Sequence, residues 1–406
     1  MKITNAEVFL TCPGRNFVIL KIETDQGVVG YGDGTLNGRE KPVVSCLQDC
    51  VIPMLIGMDP RRIEDVWQLL YRGAYWRGGP VAMSAIAAVD LALWDIKGKM
   101  AGMPVYDLLG GRSREKLQLY GHAAGRDIAA TIDAVSAWIE QGYRTVRAQT
   151  GVPGLNTIYG VQSSSNPGIG SAPPRADLPP VHQWDSDAYL KVVPELFEQL
   201  ALTFGDQARF LHDTHHRLRP IEAARLAKEL EPFHLFWLED VCRPELAERF
   251  RLIRSASTTP LALGEVFHTI QECQPYIEEG LIDFIRVAAI HAGGITHTRR
   301  IIDFSALHDV RIGLHGPPDV SPIGMAAQVH LGAWAPNFGV QEWAVFPASE
   351  MDDVFRHEHW IERGHVIPSE ASGLGVTFNE TNAKKHEFKR SYLGVNRLMD
   401  GTVWNY

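Results

Sequence analysis

The first 115 residues pass from an alternating to a helical pattern of apolar positions. Residues 18–32 alternate apolar and polar side chains around the break Asp25-Gln-Gly27, which predicts antiparallel strands joined by a turn. Between Ala82 and Met100 the apolar positions return every three or four residues, and this period predicts a helix. A small antiparallel sheet followed by helices is typical of an α+β domain.

From residue 117 onward, short apolar runs alternate with segments of helical period. The runs have the length of buried strands, and amphipathic stretches such as Pro220–Leu230 separate them. They cover residues 117–120, 145–149, 210–213, 235–239, 261–265, 284–287, 312–315 and 340–342. Eight strands that alternate with helices predict a parallel sheet closed as a barrel.

The stretch between the second and third runs is too long for one strand-plus-helix unit. Its surplus, residues 150–186, is rich in Gly, Pro and Ser. Loops of this length are usually functional or disordered. Because this one follows the carboxyl end of the second barrel strand, we predict that it is a lid insertion.

Composition and charge exclude several classes of protein. Of the 406 residues 45% are hydrophobic, a share typical of a folded protein and too high for a disordered chain. A formal net charge of −9 argues against a nucleic-acid partner. The sequence shows neither an apolar stretch of the roughly 20 residues that cross a bilayer nor a signal peptide, so no membrane partner is expected. The five cysteines are odd in number and lack a C-x-x-C motif, which predicts reduced thiols and a cytoplasmic protein.

The later runs carry, at or near their ends, polar residues that strand propensity does not favour. These residues are Asp213, Glu239, Glu265, Arg286, His315 and Glu342. Side chains at the carboxyl ends of barrel strands converge on one cavity, so the six are candidates for one site. The three adjacent carboxylates, Asp213, Glu239 and Glu265, cannot all be ionised together without a cation, and oxygen ligands favour Mg²⁺ over zinc. The alternative is that each carboxylate only caps the helix that follows it.

Two sets of motifs resemble a known family. Residues 85–104, followed by Leu108-Leu-Gly-Gly111, resemble the hallmark of the enolase superfamily. The barrel residues resemble those of its mannonate dehydratase group, which is also classed as a galactonate dehydratase family. They are Arg147, Tyr159, Asp213-Thr-His215, Trp237–Asp240, Gly264-Glu265 and His315–Asp319. The resemblance extends over nearly the whole chain.

The resemblance implies a two-domain fold around a divalent metal. An α+β capping domain, residues 1–115 completed by residues 380–406, would accompany a modified (β/α)7β TIM-like barrel, residues 116–379, with the lid at 150–186. The family's Mg²⁺ ligands correspond to Asp213, Glu239 and Glu265. Its contacts to an acid sugar correspond to Asn37, His122, Glu265, Arg286, His315, Asp319 and Glu342. Family members assemble with copies of themselves, so a homo-oligomer is also expected.

The chemistry expected of such a site begins with removal of the proton at C2 of a sugar acid. A divalent metal bound to the neighbouring carboxylate stabilises the ene-diolate that forms. No Lys stands at the end of the second strand, so Tyr159 is the candidate base. A free phenol titrates at about 10, and the nearby guanidinium of Arg147, paired with it by the resemblance, would lower the phenol's pKa. His215, two residues beyond Asp213, is the candidate acid that protonates the departing 3-hydroxyl.

The predicted function is therefore Mg²⁺-dependent dehydration of D-mannonate, D-gluconate or both to 2-keto-3-deoxy-D-gluconate. Pro317, where mannonate-acting members tend to carry Ala, and Pro318 stiffen the turn after His315, which lowers the activity expected. Two alternatives are an acid-sugar epimerase of the same superfamily and a diverged member that keeps the metal site without dehydratase activity. A third is a zinc site formed by the nearby histidines His212, His215 and His216. Zinc is disfavoured because the neighbouring ligands are carboxylates.

Overall fold

The chain divides into two compact units in its computed structural model. The first unit comprises Met1–Gln118, Glu265–Gln274 and Ile285–Arg390, and the second comprises Leu119–Gly264, Pro275–Phe284 and Ser391–Tyr406. The structure describes residues 1–155, 179–245, 247–343 and 351–405, together with the backbone alone at 157–158, 161–162 and 349–350.

Strands and helices alternate along most of the described chain. The strands are β1 (Ile3–Thr11), β2 (Phe17–Thr24), β3 (Val29–Asp33), β4 (Leu117–Gly125), β5 (Thr145–Thr150), β6 (Thr157–Ile158), β7 (Val161–Gln162), β8 (Val181–Trp184), β9 (Arg209–Asp213), β10 (Trp237–Glu239), β11 (Leu261–Leu263), β12 (Phe284–Ile285), β13 (Arg311–Ile312), β14 (Gln341–Glu342), β15 (Phe355–His357), β16 (Trp360–Glu362), β17 (His365–Ile367), β18 (Val376–Phe378) and β19 (Val395–Leu398). The helices are α1 (Glu40–Ser45), α2 (Ile52–Leu55), α3 (Ile63–Arg72), α4 (Pro80–Ala101), α5 (Val105–Leu109), α6 (Ile128–Glu140), α7 (Ser186–Phe204), α8 (Pro220–Leu230), α9 (Ala247–Ala256), α10 (Ile270–Glu278), α11 (Gly294–Leu307), α12 (Pro322–Trp334), α13 (Ser349–Asp352) and α14 (Glu380–Ala383).

In the first unit, β1, β2 and β3 form an antiparallel sheet that packs against α4. Val18 and Leu20 of β2 are fully buried in the core that the sheet shares with this helix. Gly32 in β3 approaches α4 so closely that a Cβ atom would meet the Ala88 carbonyl oxygen at 1.8 Å. The predicted meander and the helix predicted between Ala82 and Met100 are both present, and the glycine permits their close contact.

A buried carboxyl group joins α4 to the N-terminus of α11 within the first unit. Asp90 is 2% exposed, and its Oδ2 accepts a hydrogen bond from the backbone N–H of Thr296 at 3.0 Å. Burial raises the pKa of Asp90 to about 7, although the hydrogen bonds from Thr296 act in the opposite direction. The folded state therefore holds a proton on Asp90 more tightly than the unfolded chain does.

We expect this carboxyl group to make the protein less stable as the pH rises. The stabilisation by protonated Asp90 is fully present below the unfolded pKa of about 4 and is lost as the pH approaches 7. Asp90→Asn keeps an acceptor for Thr296 and cannot ionise. At pH 8 the variant should be more stable than the wild type, by up to about 4 kcal/mol, and at pH 4 nearly equal to it. Urea unfolding at the two pH values measures the difference.

The matched control for Asp90 lies on α11. Asp303 is exposed there, so Asp303→Asn should change stability little at either pH. An equal loss of stability in Asp90→Asn at pH 4 and pH 8 would contradict the prediction, because it would assign the carboxyl group a purely structural role.

The second unit contains neighbouring parallel strands joined through helices. β4 pairs with β5, β5 with β9, β9 with β10, and β10 with β11, all in the parallel sense. The helix predicted at Pro220–Leu230 is α8, and Pro at its first position suits a helix start because that N–H has no partner within the helix. Parallel strands separated by helices are the arrangement predicted from the apolar runs.

The first unit continues the same alternation with β12, β13 and β14. The backbone N–H of Gly313 donates to Ile285 O, and that of Gly339 donates to Ile312 O, which places these segments side by side. All eight predicted runs contain a strand, but several strands are shorter than the runs. β11 ends at Leu263, and Gly264 has a φ of 132°, so Glu265 lies beyond the strand that was predicted to contain it.

The end of the predicted lid pairs with the C-terminal segment within the second unit. β8, at the end of the predicted lid, pairs in parallel with β19 from Val395↔Val181 to Leu398↔Trp184. The backbone hydrogen bonds of the lid's end are therefore shared with the last residues of the chain. Most of the predicted lid, residues 156–178, lies outside the residues whose side chains are described. The predicted domain boundaries stay predictions.

Two inferences from composition can be compared with the described residues. None of the helices among these residues is long and apolar enough to cross a membrane. All five cysteines lie within the described part of the chain, and none of them forms a disulfide.

Candidate functional site

Four of the predicted site residues lie on one face of the parallel strands of the second unit. His122 of β4 is opposite Arg147 of β5. Arg147 is opposite Leu211 of β9, two residues before Asp213. Asp213 is in turn opposite Glu239 of β10. Opposed residues of parallel strands point to the same side, and alternate residues of a strand share a face, so the four side chains project from one surface.

Arg147 connects His122 to Asp213. Its Nη1 donates to Asp213 Oδ2 at 3.2 Å, and its Nη2 lies 3.2 Å from His122 Nδ1. A guanidinium has no acceptor, so Nδ1 of His122 must accept this hydrogen bond and the neutral ring carries its proton on Nε2. The geometry therefore fixes the tautomer of His122 and leaves its Nε2–H as the donor. The Arg147 side chain is 16% exposed and that of Asp213 is 1% exposed, so the ion pair is largely shielded from solvent.

Asp213 and Glu239 form a cluster with a third carboxylate, Asp240. Ligand oxygens of the three residues lie within 4.8 Å of one another, and all three side chains are buried. Glu239 Oε2 accepts a hydrogen bond from Trp237 Nε1 at 2.7 Å, which fixes its orientation. Buried carboxylates at this separation repel one another unless a cation lies among them. Because Mg²⁺ prefers carboxylate oxygens, this donor set fits a divalent magnesium ion.

The loops that follow β9 and β10 have an unusual backbone conformation. His215, His216 and Asp240 have φ angles of 55°, 63° and 46°, in the left-handed region that non-glycine residues seldom occupy. The backbone N–H of His215 donates to Asp213 Oδ1 at 2.8 Å. His216 Nε2 lies 3.3 Å from Asp240 Oδ2, and the two residues are also joined through their backbones. Strain of this kind concentrates at functional sites, where the surroundings hold it in place.

His212 has a structural role that separates it from the other two histidines. It is buried, its Nε2 lies 2.6 Å from the Tyr189 hydroxyl, and its Nδ1 lies 2.8 Å from the Ala148 carbonyl oxygen. A carbonyl can only accept, so Nδ1 carries the proton and Nε2 accepts from the tyrosine. Burial lowers the pKa of His212 to about 4, which keeps the ring neutral. Both ring nitrogens are engaged, so the structure does not support a three-histidine zinc site.

The first unit holds a second group of predicted residues, centred on a buried ion pair. Arg286 is fully buried, and its Nη2 donates to Glu342 Oε2 at 2.7 Å while its Nη1 donates to Gly313 O at 3.0 Å. Glu342 Oε2 also accepts the backbone N–H of Gly316 at 3.0 Å. These two donors hold the Glu342 carboxylate in one orientation.

Glu265 and His315 complete this second group. His315 Nε2 lies 3.2 Å from Glu265 Oε2, and the same oxygen lies 3.9 Å from Arg286 Nη2. Both side chains of the closer pair are slightly exposed, at 14% and 11%, so they border solvent. Glu265, Arg286 and His315, which were predicted near the ends of three successive strands, are therefore brought together. In the structure each follows its strand (β11, β12 or β13) instead of belonging to it.

Three further predicted residues have less defined surroundings. Asn37 and Asp319 are partly buried in the first unit, Asn37 shortly after β3 and Asp319 between β13 and α12. Tyr159, the predicted base, lies outside the described residues. The catalytic and binding roles assigned to the predicted residues stay predictions.

Sequence reasoning missed Asp240 as a member of the carboxylate cluster. It follows Glu239 directly, and adjacent strand residues normally face opposite sides. The positive φ of Asp240 ends the strand and directs the chain so that both carboxylates join the same cluster. The signal available in the sequence was only the acidic pair at the end of an apolar run.

The site has the features of proteins that hold a divalent cation at the carboxyl edge of an α/β barrel. In such proteins, carboxylates lie at the ends of parallel strands that are connected by helices. The chain belongs to the enolase superfamily: residues 129–382 match its enolase C-terminal domain-like family, and residues 7–110 match the N-terminal domain of mandelate racemase and muconate lactonizing enzyme. The fold of this family is a capping domain with a TIM-like barrel, so the predicted family and fold class are confirmed.

Relatives that match the chain along its whole length show which members of the superfamily it is similar to. D-mannonate dehydratase of Novosphingobium aromaticivorans is 55% identical over 406 residues, which cover all of both chains. A D-galactonate dehydratase family member, RspA of Halomonas elongata, is 54% identical over the same span. An enolase of Pantoea ananatis, crystallised with bound D-gluconate and Mg, is 39% identical, covers 100% of both chains and superposes with a TM-score of 0.93.

Proposed function

We propose that this chain is a Mg²⁺-dependent dehydratase of acid sugars that converts D-mannonate, D-gluconate or both to 2-keto-3-deoxy-D-gluconate. The observation that carries the proposal is the buried pair Asp213 and Glu239, opposed on neighbouring strands beside the guanidinium of Arg147. Full-length identity of 55% with a D-mannonate dehydratase supports the same reaction class. The enzyme is accordingly a lyase that breaks a carbon–oxygen bond.

The proposed metal ligands are the three predicted from the sequence, Asp213, Glu239 and Glu265, while Asp240 adds negative charge beside the first two. When bound, the divalent ion supplies the positive charge that stabilises the substrate carboxylate as it gains a second negative charge. Trp237 holds the Glu239 carboxylate in place, and the backbone N–H of His215 does the same for Asp213. Hydrogen bonds of this kind to ligating carboxylates orient them before the ion binds.

Proton transfer is assigned to two residues, one acting as base and the other as acid. Tyr159, as phenolate, would take the C2 proton, and His215, as imidazolium, would give a proton to the departing 3-hydroxyl. Arg147 favours the phenolate through its charge, while its hydrogen bonds to Asp213 and His122 fix its own position. His122 is then oriented to donate Nε2–H to a sugar oxygen.

The residues of the first unit are proposed to bind the sugar chain. Glu342, held in place by Arg286 and by the Gly316 N–H, would accept hydrogen bonds from sugar hydroxyls. His315, Asp319 and Asn37 would add further polar contacts. D-mannonate and D-gluconate differ only in configuration at C2, so this group would bind the hydroxyls that the two share, and the residues that face C2 would distinguish them.

A panel of acid sugars incubated with the chain and Mg²⁺ in D₂O tests the proposal. We expect a 2-keto-3-deoxy acid that carries deuterium at C3, because the enol formed by loss of water collects its new proton from solvent. Removing Mg²⁺ with EDTA should stop product formation. Deuterium exchange at C2 without keto acid would replace the proposal with an epimerase. Neither exchange nor product, despite Mg²⁺ binding, would identify a diverged member.

Pro317 and Pro318 bear on how fast the reaction runs. Neither residue can donate a backbone hydrogen bond, and both fix their φ angles. The proposal therefore includes a lower rate with D-mannonate than in family members with Ala in place of Pro317.

A homo-oligomer and a cytoplasmic location also stay predictions.

A further inference from the structure

The buried carboxylate of Asp33 lies beside the loop that carries two of the proposed sugar contacts. Asp33 ends β3 and is fully buried. Its Oδ2 accepts the backbone N–H of Ser321 at 2.9 Å. Its Oδ1 accepts both the N–H and the hydroxyl of Thr35, at 2.8 and 2.6 Å. One carboxylate thus bonds two separate segments of the first unit, residues 33–35 and the end of the loop before α12.

The loop from His315 to Ser321 has few backbone donors with which to hold itself. Pro317 and Pro318 have no N–H, and the Val320 N–H bonds within the loop to Pro317 O. The Gly316 N–H bonds to Glu342 at one end of the loop, and the Ser321 N–H bonds to Asp33 at the other. Two buried carboxylates therefore secure the two ends of the segment that contains His315 and Asp319.

The residues around Asp33 are shaped to keep its carboxylate in this position. A Cβ atom on Gly324 in α12 would lie 2.8 Å from Asp33 Oδ2, so the glycine leaves the space that the carboxylate occupies. The Thr35 hydroxyl also accepts the Val18 N–H at 3.0 Å, which ties the turn to β2. The Thr35 carbonyl lies 3.2 Å from His291 Nε2, which binds the same turn to the loop after β12. Asn37, a proposed sugar contact, follows two residues later.

We infer that Asp33 is a positioning residue for the acid-sugar site: it fixes the Ser321 end of the loop carrying His315 and Asp319 and holds the turn leading to Asn37 beside it. The inference rests on the proposed function for the identity of the ligand. Asp33 does not touch the sugar itself. It acts through the loop, so its loss displaces contacts that bind the substrate before and during the reaction alike.

The test compares Asp33→Asn with Ser321→Ala. An asparagine has one side-chain oxygen, so it cannot accept from both Thr35 and Ser321. Ser321→Ala removes the side-chain cap of α12, where Ser321 Oγ accepts the Ile323 N–H, but keeps the backbone donor to Asp33. We expect Asp33→Asn to raise KM for D-gluconate and D-mannonate about tenfold, with a smaller fall in kcat. Ser321→Ala should lower the melting temperature and leave KM unchanged.

Amide hydrogen exchange of the His315–Ser321 segment gives a readout that does not depend on turnover. Exchange at Asp319, Val320 and Ser321 should be faster in Asp33→Asn and unchanged in Ser321→Ala. Unchanged exchange and an unchanged KM in Asp33→Asn would overturn the inference. If the wild type dehydrates no acid sugar but exchange is still faster in Asp33→Asn, the role of Asp33 in holding the loop stands and the proposed function is refuted instead.

A second variant keeps the test decisive if Asp33→Asn does not fold. Thr35→Val removes the hydroxyl that donates to Asp33 and retains the backbone N–H and the side-chain volume. Its KM should rise about threefold with Mg²⁺ affinity, titrated with the metal alone, equal to that of the wild type. A wild-type KM in folded Thr35→Val, with wild-type exchange of the loop, would overturn the inference.

Discussion

Glu239→Gln is expected to lower turnover of the acid sugar at least about a hundredfold and to weaken Mg²⁺ binding. The variant keeps the size of the side chain and an oxygen that can accept from Trp237 Nε1, so the strand end should retain its shape. It removes one negative charge from the buried cluster with Asp213 and Asp240. Isothermal titration with Mg²⁺ and a steady-state assay across Mg²⁺ concentrations measure the two effects.

The same variant should change stability in a direction that a purely structural role would not produce. Without Mg²⁺, neutralising one of three clustered carboxylates relieves repulsion, so the melting temperature should not fall. With saturating Mg²⁺, the wild type gains stability from binding and Glu239→Gln gains less. Glu229→Gln, an exposed carboxylate change on α8, is the control and should leave both measurements unchanged. Wild-type Mg²⁺ affinity and turnover in Glu239→Gln would contradict the assignment of the metal site.

The sequence allowed the strand-end residues of the site to be predicted, because a parallel barrel places the ends of its strands at one edge. Asp213 and Glu239 were found this way, and their direct opposition follows from the register of β9 and β10. Register depends on pairing between distant segments, so it could not be predicted from either segment alone. The hydrogen bonds of Arg147 to His122 and Asp213 are a consequence of the same register.

What the sequence did not reveal depends on loop conformation. Asp240 joins the carboxylates where its φ is positive, and although Asp adopts this conformation more often than most residues, its presence alone does not predict it at a given position. Asp33 lies in a Gly-rich segment, which in the sequence indicates only a turn. Its hydrogen-bond partner Ser321 is 288 residues away. Contacts at such separation depend on the assembled fold, and local patterns carry no information about them. The spacing of two residues from Asp213 singled out His215 in the sequence, but the hydrogen bonds that give His212 a structural role were visible only in the structure.

Tyr159→Phe is expected to reduce turnover by about 10²- to 10⁴-fold, the contribution typical of a general base. Phenylalanine retains the ring and removes only the hydroxyl that would accept the C2 proton. Deuterium exchange at C2 in D₂O should stop together with product formation, because both need the same proton abstraction. Mg²⁺ affinity should be unchanged, since the proposed ligands are carboxylates of other residues. The assay therefore separates loss of the base from loss of the metal.

The pH profile distinguishes a phenolate base from a residue that only shapes the site. Turnover by the wild type should rise with pH as the Tyr159 hydroxyl ionises, and Arg147 is expected to set the position of this rise by favouring the phenolate. Arg147→Lys cannot reproduce the guanidinium's two hydrogen bonds to Asp213 and His122, so we expect lower turnover and a rise displaced to higher pH. Tyr75→Phe, at a tyrosine that is 85% exposed, is the matched control and should behave as the wild type. Normal activity in Tyr159→Phe would exclude it as the base and would require another group to remove the C2 proton.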